Sequence, residues 1–166
     1  VGPEQVVPWP AGAAWLEYEP KVAAVLGKEL HRAEDEDVRA NVFGYTLVND
    51  WSARDASGSP MATSEGLPLA IGPVVVTADE LDPHALYLDV RIDGESIAKG
   101  NLNGAAHDLF ALIGAVSRVA SLERGDAFAL GPFGPASDPT RQLWPGASVE
   151  LRAEGIGTLK NRIAAS

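Results

Sequence analysis

The stretch from Gly44 to Asp55, GYTLVNDWSARD, constrains this chain more than any other. Val42, Phe43, Tyr45, Leu47 and Val48 supply β-branched, aromatic and aliphatic bulk, which predicts a strand packed on both sides. Asn49, Asp50, Ser52, Arg54 and Asp55 then follow, interrupted only by Trp51 and Ala53, and predict a polar turn at the strand's end. Carboxylates and a guanidinium beside a buried strand must be paired with each other, a ligand or a metal. Arg54 and Asp55 are expected to satisfy each other in the turn. Asp50 is expected at the strand end, facing a pocket.

The 166 residues suit one domain spanning 1–166. A net charge of −10, from 23 acids against 13 bases, argues against nucleic-acid and anionic-membrane partners. The absence of cysteine excludes disulfides, thiolate catalysis and Cys-based metal sites. The apolar runs are too short to span a bilayer as a helix and no signal peptide opens the chain, so a cytoplasmic location is expected.

Residues 1–14 carry Pro3, Pro8 and Pro10 and predict an extended lead-in, as in a domain without an N-terminal extension. From Trp15 to Gly27, Glu17, Glu19 and Lys21 alternate with Leu16, Tyr18 and Pro20, placing three charged side chains on one strand face. That face is either a solvated Glu–Lys surface or part of a site. Lys28 to Arg39 reads as a charged loop turning into a short helix, and 56–69 as a glycine- and proline-bearing loop. Strands are predicted over 71–77, 86–92, 95–100, 127–130, 149–153 and 158–163, with Asp93-Gly94 as a hairpin turn. One long helix is predicted from Ala105 to Leu122, capped by Asn103. The loop 131–141 begins at Gly131, where a missing side chain lets backbone approach a ligand. One main helix and many short strands predict a mostly-β, α+β domain of layered sheets.

Several motifs together resemble the fumarylacetoacetate hydrolase family. They are the acidic strand LEYE…VAAVLGK (Leu16 to Lys28), NDWSARD (Asn49 to Asp55), IGP…VT.DEL (Ile71 to Leu81), Gly125-Asp126 and GIGTLKNR (Gly155 to Arg162). The resemblance implies that family's mixed β-roll of stacked sheets and a homodimer. It also implies Mg2+- or Ca2+-dependent work on oxo-acid, β-diketo or polyketide-like substrates: C–C hydrolysis, decarboxylation or enol–keto isomerisation. In such chemistry carboxylates hold a hard dication that stabilises an enolate. Glu19 and Asp50 fall on two of the family's metal ligands, and Arg54 is kept. Tyr18, Arg54, Ser57, Thr63 and Gly131 fall at substrate-binding positions.

The departures fall on the same site. Lys21 stands where the family has its second glutamate, Ser57 where it has a glutamine, Thr63 where it has a pocket lysine and Pro132 where it has a threonine. A protonated lysine cannot ligate a cation. Lys21 is therefore expected to stand between Glu19 and Asp50 in the metal's place, with no cofactor. It would act with Arg54 as the catalytic pair, stabilising charge or, with a pKa lowered by burial, serving as base or Schiff-base nucleophile. Removing one member of a buried group of this kind costs roughly 3–5 kcal/mol. Two alternatives stand beside this reading. One is a catalytically inactive binding or partner subunit, paired with a second copy or an active relative. The other is an ordinary metal-dependent enzyme using Glu17 and Glu19 with Asp50.

Overall fold

The computed structural model describes residues 1–104, 107–131 and 142–165. The long strands β2 (Trp15–Leu26) and β3 (Val42–Arg54) pair antiparallel over their whole lengths, from Trp15 opposite Arg54 to Leu26 opposite Val42. β4 (Ala70–Thr77) adds to the far side of β3, and β7 (Ala127–Leu130) to the far side of β2. A second sheet runs β1 (Val6–Val7), β10 (Gly157–Ile163), β9 (Ser148–Ala153), β5 (Tyr87–Ile92) and β6 (Glu95–Asn101), parallel only between β1 and β10. The short strand β8 (Gln142–Leu143) pairs with the start of β2.

The period of two decides what faces the core. Leu16, Tyr18, Val22 and Ala24 of β2 sit opposite Ala53, Trp51, Leu47 and Tyr45 of β3, and all are buried. They join Leu88, Val90, Leu151 and Leu159 of the other sheet in one apolar cluster. Each fully buried aliphatic side chain there contributes about 1.5–3 kcal/mol. The outer face of the second sheet is charged, with Glu150 held by Arg152 and by Lys160 at 3.2 Å. This is the expected mostly-β arrangement of stacked sheets.

Three local expectations are corrected. β3 continues to Arg54 instead of ending at Asn49, because Trp51 and Ala53 keep turning inward while Asp50, Ser52 and Arg54 take the other face. The main helix, α2, covers only Leu109–Ser117, and its cap is Asp108 rather than Asn103. The Asp108 carboxylate accepts from the backbone N–H groups of Phe110 and Ala111, which satisfies the helix start and fixes it there. At the other end Val119 is 88% exposed, and Leu122, which is buried, pairs with Leu30 in a β-bridge instead of continuing the helix. A second helix, α1 (Asp35–Asn41), packs against α2; its Glu34–Asp37 capping box is the device the acidic run supplies. Phe43, expected inside, is 53% exposed. Among the described residues no helix is long and apolar enough to cross a membrane.

At Gly44, β3 lies close against β4. A Cβ there would lie 2.1 Å from the Val76 carbonyl oxygen. Gly44→Ala is expected to destabilise the fold by about 1–3 kcal/mol, as overpacked sites do. Urea denaturation reads this directly, and an unchanged midpoint would contradict the close approach.

Candidate functional site

The face of β2 and β3 turned away from the core carries Glu17, Glu19 and Lys21 beside Asp50, Ser52 and Arg54. Glu19 is directly opposite Asp50, and Glu17 opposite Ser52. Two carboxylates placed across an antiparallel pair repel unless a cation intervenes. Lys21 Nζ is that cation, 2.8 Å from Asp50 Oδ2 and 3.3 Å from Glu19 Oε2. Ser52 Oγ donates to Glu19 Oε1 at 2.7 Å, and the Trp51 N–H donates to Asp50 Oδ1 at 3.0 Å. The Glu19 N–H donates to Asn49 Oδ1, tying the two strands at the level of the acids.

Burial alone would lower the Lys21 pKa. The hydrogen bond and charge of Asp50, followed by those of Glu19, outweigh it and raise the pKa above the lysine norm. Lys21 therefore remains an ammonium at neutral pH. The expected lowered pKa, and with it the base or Schiff-base role, is corrected: two acids within hydrogen-bonding reach offset the desolvation.

Arg54 pairs with Glu17, not with Asp55. Its Nη2 and Nε lie 2.9 and 3.0 Å from Glu17 Oε2. Glu17 Oε1 accepts from the Trp15 indole at 3.3 Å. Glu17 is thus committed to Arg54, which speaks against the alternative in which Glu17 and Glu19 both turn to Asp50. Asp55 closes its own loop, accepting from the N–H groups of Ser57 and Ser59 and from Ser57 Oγ at 2.6 Å. These bonds lower its pKa, that from the Ser57 hydroxyl most.

The other expected ligand contacts divide. Tyr18, expected to touch substrate, alternates onto the core face and is 1% exposed. Ser57 is exposed and engaged in the Asp55 turn rather than joined to the charged face. Thr63 lies in the short 3-10 turn Ala62–Gly66, and its side chain is outside the described residues, as is Pro132. Gly131 does belong to the face: a Cβ there would lie 2.8 Å from Lys21 Cγ and 2.6 Å from the Pro20 carbonyl oxygen. What the missing side chain admits is the lysine's own stem. Ser52 and Glu17 are the partners that sequence reasoning did not assign, although their shared periodicity places them on this face.

These residues do not fit Mg2+ or Ca2+. Such ions take several oxygen ligands, and of the three carboxylates on this face only Glu19 and Asp50 meet at Lys21, Glu17 being bound to Arg54. The Lys21 ammonium sits within bonding distance of both, where it would repel a dication. Among the described residues no three Asp, Glu or His side chains converge on one point.

The family model for the C-terminal part of fumarylacetoacetate (FAA) hydrolase matches residues 1–164. The chain belongs to the fumarylacetoacetate hydrolase family. It is 33% identical over 156 residues to the oxaloacetate tautomerase YisK of Bacillus subtilis, covering 89% of this chain and 52% of that protein. It is 29% identical over 168 residues to the Escherichia coli bifunctional isomerase/decarboxylase of 4-hydroxyphenylacetate degradation, covering 98% of this chain and 38% of that one. The fumarylacetoacetate hydrolase of Exiguobacterium antarcticum superposes with a TM-score of 0.84 at 30% identity, covering all of this chain (100%) and 63% of its own. The chain thus spans about half the length of the Bacillus relative. Family relatives include a tautomerase, an isomerase and a decarboxylase, and the stacked-sheet fold is theirs.

The ion cluster has a measurable strength. Lys21 is 17% exposed, but Asp50 is 45% exposed, so solvent screens the pair. The stabilisation expected for a buried cluster falls accordingly, to about 1–3 kcal/mol, between the surface and buried limits. Lys21→Met is expected to lower stability by that amount at pH 7 in urea titrations. Because the folded pKa is raised, the contribution is fully present below the ordinary lysine value of 10.5 and is lost as pH climbs through the higher folded value. The gap between wild type and variant should therefore persist at neutral and mildly alkaline pH and close only in strong alkali.

Proposed function

We propose that this chain is a metal-independent member of its family that binds a small oxo-acid or β-diketo-type ligand, with the Lys21 ammonium supplying the positive charge that relatives obtain from a dication. The observation carrying this reading is the position of Nζ, 2.8 Å from Asp50 and 3.3 Å from Glu19, on the face where the family pattern calls for a metal. A fixed ammonium can stabilise an enolate or a carboxylate oxygen by charge and hydrogen bonding. It offers one charge in place of two, and it cannot accept a ligand oxygen into a coordination sphere. Tautomerisation and decarboxylation both pass through a stabilised enolate, with the proton exchanged with solvent or a neighbouring acid, and suit this site better than hydrolytic C–C cleavage, which also requires an activated water nucleophile.

A second reading, a catalytically inactive binding or partner subunit, is favoured by the charge balance of the face. Glu17, Glu19 and Asp50 set three carboxylates against Lys21 and Arg54, and both cations are engaged. An anionic ligand must displace a carboxylate to reach either one. The exposed apolar side chains of Phe43, Val74 and Val75 around β4 suit a homodimer contact or a pairing with a related subunit.

One substitution separates these readings from a metal enzyme. Lys21→Glu removes the ammonium and supplies a third carboxylate beside Glu19 and Asp50. It is expected to bind Mn2+ in calorimetric titration, whereas the wild type binds none at this face. Stoichiometric binding by the wild type, abolished by Asp50→Asn, would overturn metal independence. Oxaloacetate tautomerisation and decarboxylation, followed with Mg2+ and with EDTA, then divide the two remaining readings. Equal turnover in both conditions supports the metal-free enzyme, and none in either supports the inactive subunit.

A further inference from the structure

Among the described residues Arg54 is held by one carboxylate, and through only one of its two oxygens. Trp15 lies opposite Arg54 and Glu17 opposite Ser52, so Glu17 and Arg54 are diagonal neighbours across β2 and β3, within reach of long side chains. Nη2 at 2.9 Å and Nε at 3.0 Å both converge on Glu17 Oε2. The other oxygen, Oε1, is turned to the Trp15 indole at 3.3 Å, longer than an ordinary hydrogen bond.

That is less than a carboxylate can give a guanidinium. The strong arrangement is two parallel N–H···O bonds, one to each oxygen. Glu17 is tethered to β2 with its second oxygen toward Trp15, and does not reach it. A free carboxylate has no tether and can offer both oxygens to the same edge of Arg54. The displaced Glu17 has donors to turn to. The Trp15 indole already touches it, and the exposed Gln142 of β8, with its amide NH2, stands opposite it on the same face.

Lys21 does not allow the same exchange. It lies between Asp50 and Glu19, at 2.8 and 3.3 Å, and these acids oppose each other across the strands. Drawing it away would leave two facing carboxylates to repel, whereas drawing Glu17 off Arg54 leaves one carboxylate beside neutral donors. Lys21 can stay with its acids and turn its third N–H to a ligand oxygen.

We propose that Glu17 is a built-in competitor for the ligand's carboxylate: it occupies Arg54 until a carboxylate that pairs through both oxygens takes its place. The inference rests on the oxo-acid site proposed above and adds the residue that sets its affinity and selects the ionised acid over its amide.

Pyruvate and its neutral amide, pyruvamide, are the probes, titrated calorimetrically into the whole chain at fixed ionic strength, in EDTA and again with Mg2+. Glu17→Gln keeps the side chain's length and removes its charge. It is expected to bind pyruvate at least tenfold more tightly than the wild type in EDTA and to leave pyruvamide unchanged. The gain should vanish without the guanidinium, so Glu17→Gln combined with Arg54→Gln should bind pyruvate no better than Arg54→Gln alone. A purely structural role for Glu17 predicts weaker binding in Glu17→Gln, and that result overturns the proposal. Equal affinity in wild type and Glu17→Gln overturns it while the metal-independent oxo-acid reading stands. A gain that survives Arg54→Gln overturns it too, since it reports diffuse repulsion by an acidic face. A gain seen only with Mg2+ upholds the competitor and overturns metal independence. No binding of pyruvate by any of these proteins in either condition overturns both. Should Glu17→Gln fail to fold by urea denaturation, Glu17→Asp, which keeps the charge but draws it back from Arg54, is tested in its place with the same expected direction.

Discussion

The pairing of Glu19 with Asp50 across β2 and β3 is the constraint on which the rest depends. A slip of β2 by one residue against β3 would send Leu16 and Tyr18 to the outside and bring Glu17 and Glu19 into the core. The apolar face therefore locks the register, and the register forces two carboxylates into opposition. Some cation must stand between them. The chain supplies its own from two positions along β2, on the same face. The hydrophobic core and the polar site are consequences of a single strand alignment.

A tethered ammonium changes what such a site can do. A dication draws oxygens from protein and ligand into one coordination sphere and exchanges with solvent. The lysine is confined to one place, carries half the charge and directs its donors along hydrogen bonds. It keeps the acids from repelling each other. The cost is reach: with its shortest contacts made to Asp50 and Glu19, it attracts an incoming anion only to the extent that these acids release it. Arg54 is in the same position with respect to Glu17.

Much of this was legible in the residues because strand periodicity is simple. The alternation of Glu17, Glu19 and Lys21 with Leu16 and Tyr18 gave the charged face and the core face together. Asp93-Gly94 marked its hairpin, and both residues adopt positive φ there, 49° and 88°. The failures also have physical causes. Arg54 was assigned to its neighbour Asp55, yet a long side chain on a strand reaches the adjoining strand more readily than its own next residue, which points to the other side. Tyr18 was included with its acidic neighbours although the same alternation places it inside. The helix was drawn too long because an apolar residue such as Val119 has no signature for the absence of a packing partner. The sign of the Lys21 shift depends on two distances, and no sequence pattern carries those.

Gly131 has a consequence for the lysine itself. Its backbone rests against the Lys21 stem where any side chain would collide with Cγ. A free lysine gives up roughly 2 kcal/mol of rotational freedom when it is held in one conformation. Here the stem is already corralled by a neighbouring strand end, so that loss is met when the chain folds and need not be met again when anything docks. The glycine works as a splint: with no side chain of its own, it keeps the ammonium aimed.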